Sequence, residues 1–128
     1  MRKNNLLLVI LVLLVAALFV STVAHAKDIN IVQAVNNLTE VDVYTVPSGK
    51  IFYLKDVVIG NYNSSSCCCA RIFKNGVDIL YVAVPADDHF AHQFANVTFK
   101  AGDILTVRNG DSAGFIMFNI TGLQTVAP

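Results

Sequence analysis

The chain has 128 residues, 55% of them hydrophobic, and its nine basic residues balance nine acidic ones. Nineteen hydrophobic residues fall in the first 26 and 51 in the following 102, so the apolar excess sits at the front and the remainder has the composition of one globular domain. That size excludes a Rossmann enzyme, a (β/α)8 barrel and a polytopic membrane protein, and the lack of any basic run argues against a nucleic-acid partner held through its phosphates.

In chain order, the first feature is an address. Arg2 and Lys3 form a positive start, Leu6 to Val20 is an unbroken apolar run of 15 residues, and Ala24-His25-Ala26 places small residues where a signal peptidase reads. The alternative, a retained membrane anchor, needs about 20 apolar residues, which the run reaches only by continuing through Ser21 to Ala24. The expected organisation is a signal peptide over residues 1–26 and one domain over 27–128. Cleavage after Ala26 leaves a secreted or periplasmic chain, no longer tied to a membrane, that begins at Lys27 with no cysteine there to carry a lipid.

From Lys27 onward the chain holds 13 Val and nine Ile against five Leu, a bias toward sheet. The predicted strands are Ile29 to Val35, Thr39 to Val46, Ile51 to Gly60, Cys67 to Lys74, Asp78 to Val84, His89 to Phe99, Ile104 to Asn109 and Gly114 to Thr121. Thr39 to Val46 alternates polar and apolar residues, as a strand with one wet face does. Pro47-Ser48-Gly49, Asn61 to Ser66, Pro85 to Asp88, Ala101-Gly102-Asp103 and Asn109-Gly110-Asp111 punctuate the runs as turns. Asn75-Gly76 is the sharpest of these signals, because a two-residue type I′ hairpin needs positive φ at both central positions. Only Asp87 to Ala95, with Phe90 and Phe94 at helical spacing, competes as a helical turn. Eight strands predict an all-β fold, an antiparallel sandwich of two packed sheets.

Val46-Pro47-Ser48-Gly49-Lys50 leading into Phe52 to Ile59, then Asn75-Gly76, then Phe99-Lys100-Ala101-Gly102-Asp103-Ile104-Leu105 and a closing Ile120-Thr121-Gly122, resembles small jelly-roll β-sandwich domains. Such domains occur in secreted bacterial proteins and in phage or virion appendages. The resemblance spans most of residues 27–128 and implies a binding or structural module from a bacterial setting. It transfers no catalytic residue.

Two clusters carry the remaining chemistry. Cys67-Cys68-Cys69 is all the cysteine in the chain, and adjacent cysteines pair only through a strained ring. In a strand Cys67 and Cys69 share one face and Cys68 takes the other. They read as small buried residues or, given an odd count in an exported chain, as sources of intermolecular disulfides; a metal or redox role ranks last. Asp87-Asp88-His89-Phe90-Ala91-His92 gathers four potential metal ligands, with His89 and His92 on one face of a helical turn but on opposite faces of a strand. A jelly roll with two histidines invites comparison with cupins. Here, however, the spacing is His-x-x-His, no Glu follows, and no histidine lies beyond His92. A solvated loop is the default, and no cofactor is expected.

No nucleophile elbow, phosphate-cradling glycine loop or paired-carboxylate motif stands out, so the chain reads as non-enzymatic. Asn37, Asn63, Asn96 and Asn119 begin Asn-x-Ser/Thr triplets, which read as ordinary strand and turn composition. Tyr44, Tyr53, Tyr62 and Tyr81 are candidates for a sugar-binding face, although the chain has no Trp and core packing accounts for most tyrosines. The leading expectation is a structural, self-assembling or ligand-binding module that forms homo-oligomers, with strand Ile29 to Val35 as a possible donor to a neighbour's sheet. The alternatives are a carbohydrate-binding module, with an extracellular glycan as partner, and a small cupin-like metalloprotein using His89 and His92.

Overall fold

Alternate Val, Ile and Phe residues need a shared dry layer, and two sheets laid face to face supply it. In the computed structural model, which describes residues 25–62, 68–110 and 114–128, eight strands do so. They are β1 (Lys27–Asn36), β2 (Glu40–Thr45), β3 (Lys50–Asn61), β4 (Cys68–Lys74), β5 (Val77–Val84), β6 (His89–Lys100), β7 (Ile104–Asn109) and β8 (Phe115–Val126). The expected leader over residues 1–26 lies almost wholly outside the described residues. Among the described residues no helix is long and apolar enough to cross a membrane.

Sheet A has the order β1-β8-β3-β6 and sheet B the order β2-β7-β4-β5, with antiparallel pairing throughout. Of the consecutive strands only β4 and β5 are neighbours in one sheet; the other connections pass between the sheets. The result is the double Greek key of a jelly roll. The helical turn weighed at Asp87 to Ala95 is not formed: Pro85 to Asp88 is a turn, and β6 begins at His89. Residues four apart share a face in a strand as well as in a helix, which is why Phe90 and Phe94 fitted both readings.

Phe52, Phe99, Phe118, Ile59, Ile72, Leu105, Ile116 and Ile120 fill the space between the sheets and are fully buried. The Phe52 ring lies 5.0 Å from that of Tyr44 and 5.9 Å from that of Phe99. Gly122 makes room for it: a Cβ there would lie 2.2 Å from Phe52 Cε2 and 2.6 Å from the Tyr53 carbonyl oxygen. β8 therefore continues through Gly122 to Val126, past the Thr121 end expected from the sequence.

Both ends of the sandwich are tied by asparagines. Asn75 and Gly76 take φ of 51° and 77°, as the hairpin requires. The Asn75 side chain then donates to Asp103 Oδ1 and accepts from the Ile104 N–H, both at 2.8 Å. Asp103 also accepts the Lys100 N–H at 2.8 Å and sits 3.2 Å from Lys74 Nζ. The Asn75 hydrogen bond, reinforced by the Lys100 N–H and by Lys74, holds its carboxyl below the usual carboxylate value of 3.8. At the other end, buried Asn61 donates to the Val84 carbonyl at 2.9 Å and buried Asn109 to the Val35 carbonyl at 3.2 Å, each stitching one sheet to the other.

Candidate functional site

Because side chains alternate, each sheet sends its second set of residues outward, and the two outer faces differ in chemistry. On sheet B, Glu40, Arg108, Arg71 and Tyr81 form one row across all four strands. Arg71 stands 4.7 Å over the Tyr81 ring and 3.4 Å from Asp78, and Arg108 is 3.9 Å from Glu40. On sheet A the two rows nearest Tyr62 are Val32, Asn119, Val58 and Ala91, then Ala34, Met117, Gly60 and His89, with no Lys, Arg, Asp or Glu among them, and the next row holds Asn30, Thr121, Asp56 and Gln93.

The cysteine cluster is divided by this alternation. Cys68 points inward and is fully buried in the core, whereas Cys69 points outward on sheet B with a free thiol. Cys67 lies outside the described residues. Cys69 shares a hollow of about 190 Å³ with Arg71, Tyr81, Arg108 and Gly110. The Tyr81 hydroxyl is 3.5 Å from its sulfur, and this hydrogen bond, followed by the charge of the thiol, raises the phenol above its ordinary range against the opposing pull of Arg71.

The Asp87 to His92 ligands do not converge. His89 faces outward on sheet A, 3.7 Å from Asp88. His92 points to the other side of β6, its ring between those of Phe90 at 6.2 Å and Phe94 at 4.8 Å. Asp87 and Asp88 stay in the turn, and among the described residues no three His, Cys, Asp or Glu side chains gather as metal ligands. The pairing that a cupin-like centre needs is thus undone by the strand, which sends residues three apart to opposite faces. Two histidines on opposite sides of one strand hold no common ion.

The four tyrosines do not share a face either. Tyr44 packs on Phe52 and donates to Gln124 inside the sandwich, while Tyr81 belongs to sheet B. Only Tyr53 and Tyr62 project from sheet A. Tyr62 lies at one end of a groove of about 380 Å³, whose floor is Val32, Val58, Gly60 and Met117. Asp87, Asp88, His89 and Asn119 stand around it. The ring lies over Gly60, where a Cβ would come within 2.8 Å of it, and stacks at 5.9 Å on Phe115. Sequence reasoning missed this groove as a unit. Its one signal was Gly60 inside an otherwise bulky strand, a mark of close approach.

Comparison with solved structures finds the same fold in the capsid asymmetric unit of cyanophage Pam1, with a TM-score of 0.53 and 6% identity over 80% of this chain and 86% of that one. The acid-stable capsid of Helicobacter pylori bacteriophage KHP30 matches with a TM-score of 0.54 and 9% identity, over 82% of this chain and 94% of that one. A subunit of the Bacillus endospore appendages, described as disulfide-linked pili, matches at 0.47 and 12% identity over 82% and 89%. No protein-family model matches the chain, and no curated protein matches it in sequence. The capsid likenesses bear out the jelly-roll reading at the level of fold.

Proposed function

We propose that the protein is an exported, non-enzymatic structural subunit that assembles with copies of itself by extending sheet A along the free edge of β1. The observation that carries this reading is the state of the four edge strands. An edge with unpaired backbone groups is a template for another chain, and proteins that stay apart interrupt it. β2 is six residues long and breaks register between Asp42 and Tyr44. β5 carries Ile79 as an extra residue between the partners of Ile72 and Phe73, and β6 sets Phe94, Ala95 and Asn96 against Lys55 alone. β1 has no such break: ten residues run in register with β8, from Lys27 opposite Gln124 to Asn36 opposite Phe115.

Within this chain the inner edge of the strand Ile29 to Val35 pairs with β8, so the edge offered to a neighbour in this proposal is the outer one. Two copies related by a two-fold axis would pair β1 with β1 antiparallel, merging two four-stranded sheets into one of eight. Removal of residues 1–26 would leave β1 as the first element of an exported chain. The two matches that share this fold come from phage capsids, which supports a structural role here. Of the described cysteines Cys69 is the one suited to link copies, through the outer face of sheet B and not through β1, because Cys68 is in the core. Two such thiols would give up two protons and two electrons to an external disulfide oxidant.

Light scattering of the purified protein under reducing conditions tests the reading. The expected mass is that of two or more copies. Asn30→Lys with Ala34→Lys, which sets like charges near one another across the β1 pair, is expected to give a monomer with the wild-type strand content. A reduced wild-type protein that stays monomeric overturns the proposal. Loss of covalent dimers in Cys69→Ser under non-reducing conditions tests the linkage separately.

A further inference from the structure

We infer that the groove beside Tyr62 on the outer face of sheet A binds a neutral saccharide. The inference does not depend on self-assembly, since the groove lies on the sheet face and the proposed joining surface is the β1 edge. At about 380 Å³ the groove falls within the roughly 300–1,000 Å³ typical of small-molecule sites. That is room for one or two sugar rings.

Its chemistry is that of a polyol with one apolar side. The C–H face of a sugar needs a flat, exposed ring, and Tyr62 offers one: it is 64% exposed, yet backed by Phe115 and seated on the bare backbone of Gly60. Val58 and Met117 continue that apolar floor. Hydroxyl groups need acceptors at the rim, and the carboxylates of Asp87 and Asp88 and the amide of Asn119 provide them. The rim is fixed in advance. Asp88 accepts the His89 N–H on its side chain at 2.7 Å, while its carbonyl accepts the Asn61 N–H at 2.9 Å, tying the turn to the end of β3. Among the described residues no Lys or Arg lines the groove and two carboxylates do, which disfavours a phosphate, sulfate or carboxylate ligand.

The test is an NMR titration of the purified protein with maltose, cellobiose, chitobiose and lactose, each taken to about 10 mM, which nears saturation for a Kd of about 1 mM. At least one disaccharide is expected to give saturable shifts at Tyr62, His89 and Met117. Gly60→Ala, whose new Cβ meets the Tyr62 ring first and displaces it, is expected to weaken binding about tenfold, and Tyr62→Ala to abolish it. Both should keep the wild-type strand content and melting temperature. Light scattering in the same buffer, with and without sugar, reads self-assembly separately from binding, and saturable shifts from a monomeric or an assembled protein equally support the inference. Three results each overturn it: no saturable shift with any of the four sugars, unaltered affinity in Tyr62→Ala, or shifts produced at these residues by the polyamine spermidine and by no sugar.

Discussion

The outer faces of the two sheets are built on the same alternation, yet one carries Arg–carboxylate pairs across its strands while the other, beside Tyr62, carries apolar and amide side chains. On sheet B, Arg71 and Arg108 are neighbours across β4 and β7, and each is balanced by a carboxylate on the adjoining edge strand, Asp78 or Glu40. On sheet A the equivalent central positions hold Asn119, Val58, Met117 and Gly60, and the one aromatic ring in the groove is placed by a missing Cβ. The difference teaches where specificity can reside. Exposed ion pairs bend, hydrate and add little, whereas a ring laid on bare backbone has one position available to it.

Substitutions separate the two modes, beginning with the largest effect. Gly122→Ala, on the buried side of sheet A, puts a Cβ against both the Phe52 ring and the Tyr53 carbonyl oxygen, so neither side-chain motion nor backbone motion alone relieves it. It is expected to cost about 3 kcal/mol and to lower the melting temperature by more than about 10 °C, read by thermal denaturation. An unchanged melting temperature would mean that the Phe52 ring and the Tyr53 carbonyl do not lie as close to Gly122 as described.

Acid should come next. The folded-state pKa of Asp103 is lowered, so its contribution is complete above the ordinary value of 3.8 and disappears as the pH falls through the lower folded value. Denaturation followed between neutral pH and pH about 2 should show a loss of stability that Asp103→Asn removes. The same acid sensitivity in the variant would assign the effect to other carboxylates. Smallest is Arg71→Ala on sheet B: an exposed pair of this kind contributes about 0–1 kcal/mol, so the melting temperature should hardly move. With the guanidinium gone from beside it, Cys69 should react at a changed rate with a charged thiol reagent, and a loss of several kcal/mol instead would show that the face is held by its ions.

The number and order of strands were legible because Val and Ile dominate after Lys27 and because turns such as Asn75-Gly76 have few conformations open to them. What was not legible depends on a partner strand. The extra residues Ile79 and Phe94 to Asn96 exist only relative to β4 and β3, and no local pattern in VDILYVAV or HFAHQFANVTFK announces them. Alternation separated Cys68 from Cys69, but which of them faces the core follows from the register with β7, where Ala70 meets Asn109. Gly122 looked like a terminator because glycine is rare in strands, and here it continues one so that an aromatic ring can cross it. The groove escaped for a related reason: Tyr62, Asp88 and Asn119 are distant in sequence and meet only through β3, β8 and the turn before β6.

The pairing of Lys27 with Gln124, beside that of Lys50 with Val126, sets the start of β1 and the end of β8 at one corner of sheet A. Val32, on the groove floor, is five residues further along β1, about 17 Å away at the rise of a strand. A segment grafted before Lys27 and another grafted after Val126 would emerge side by side and clear of the groove. In an array built on this domain, both ends would serve as attachment points for cargo, displayed together with the groove beside Tyr62 left open.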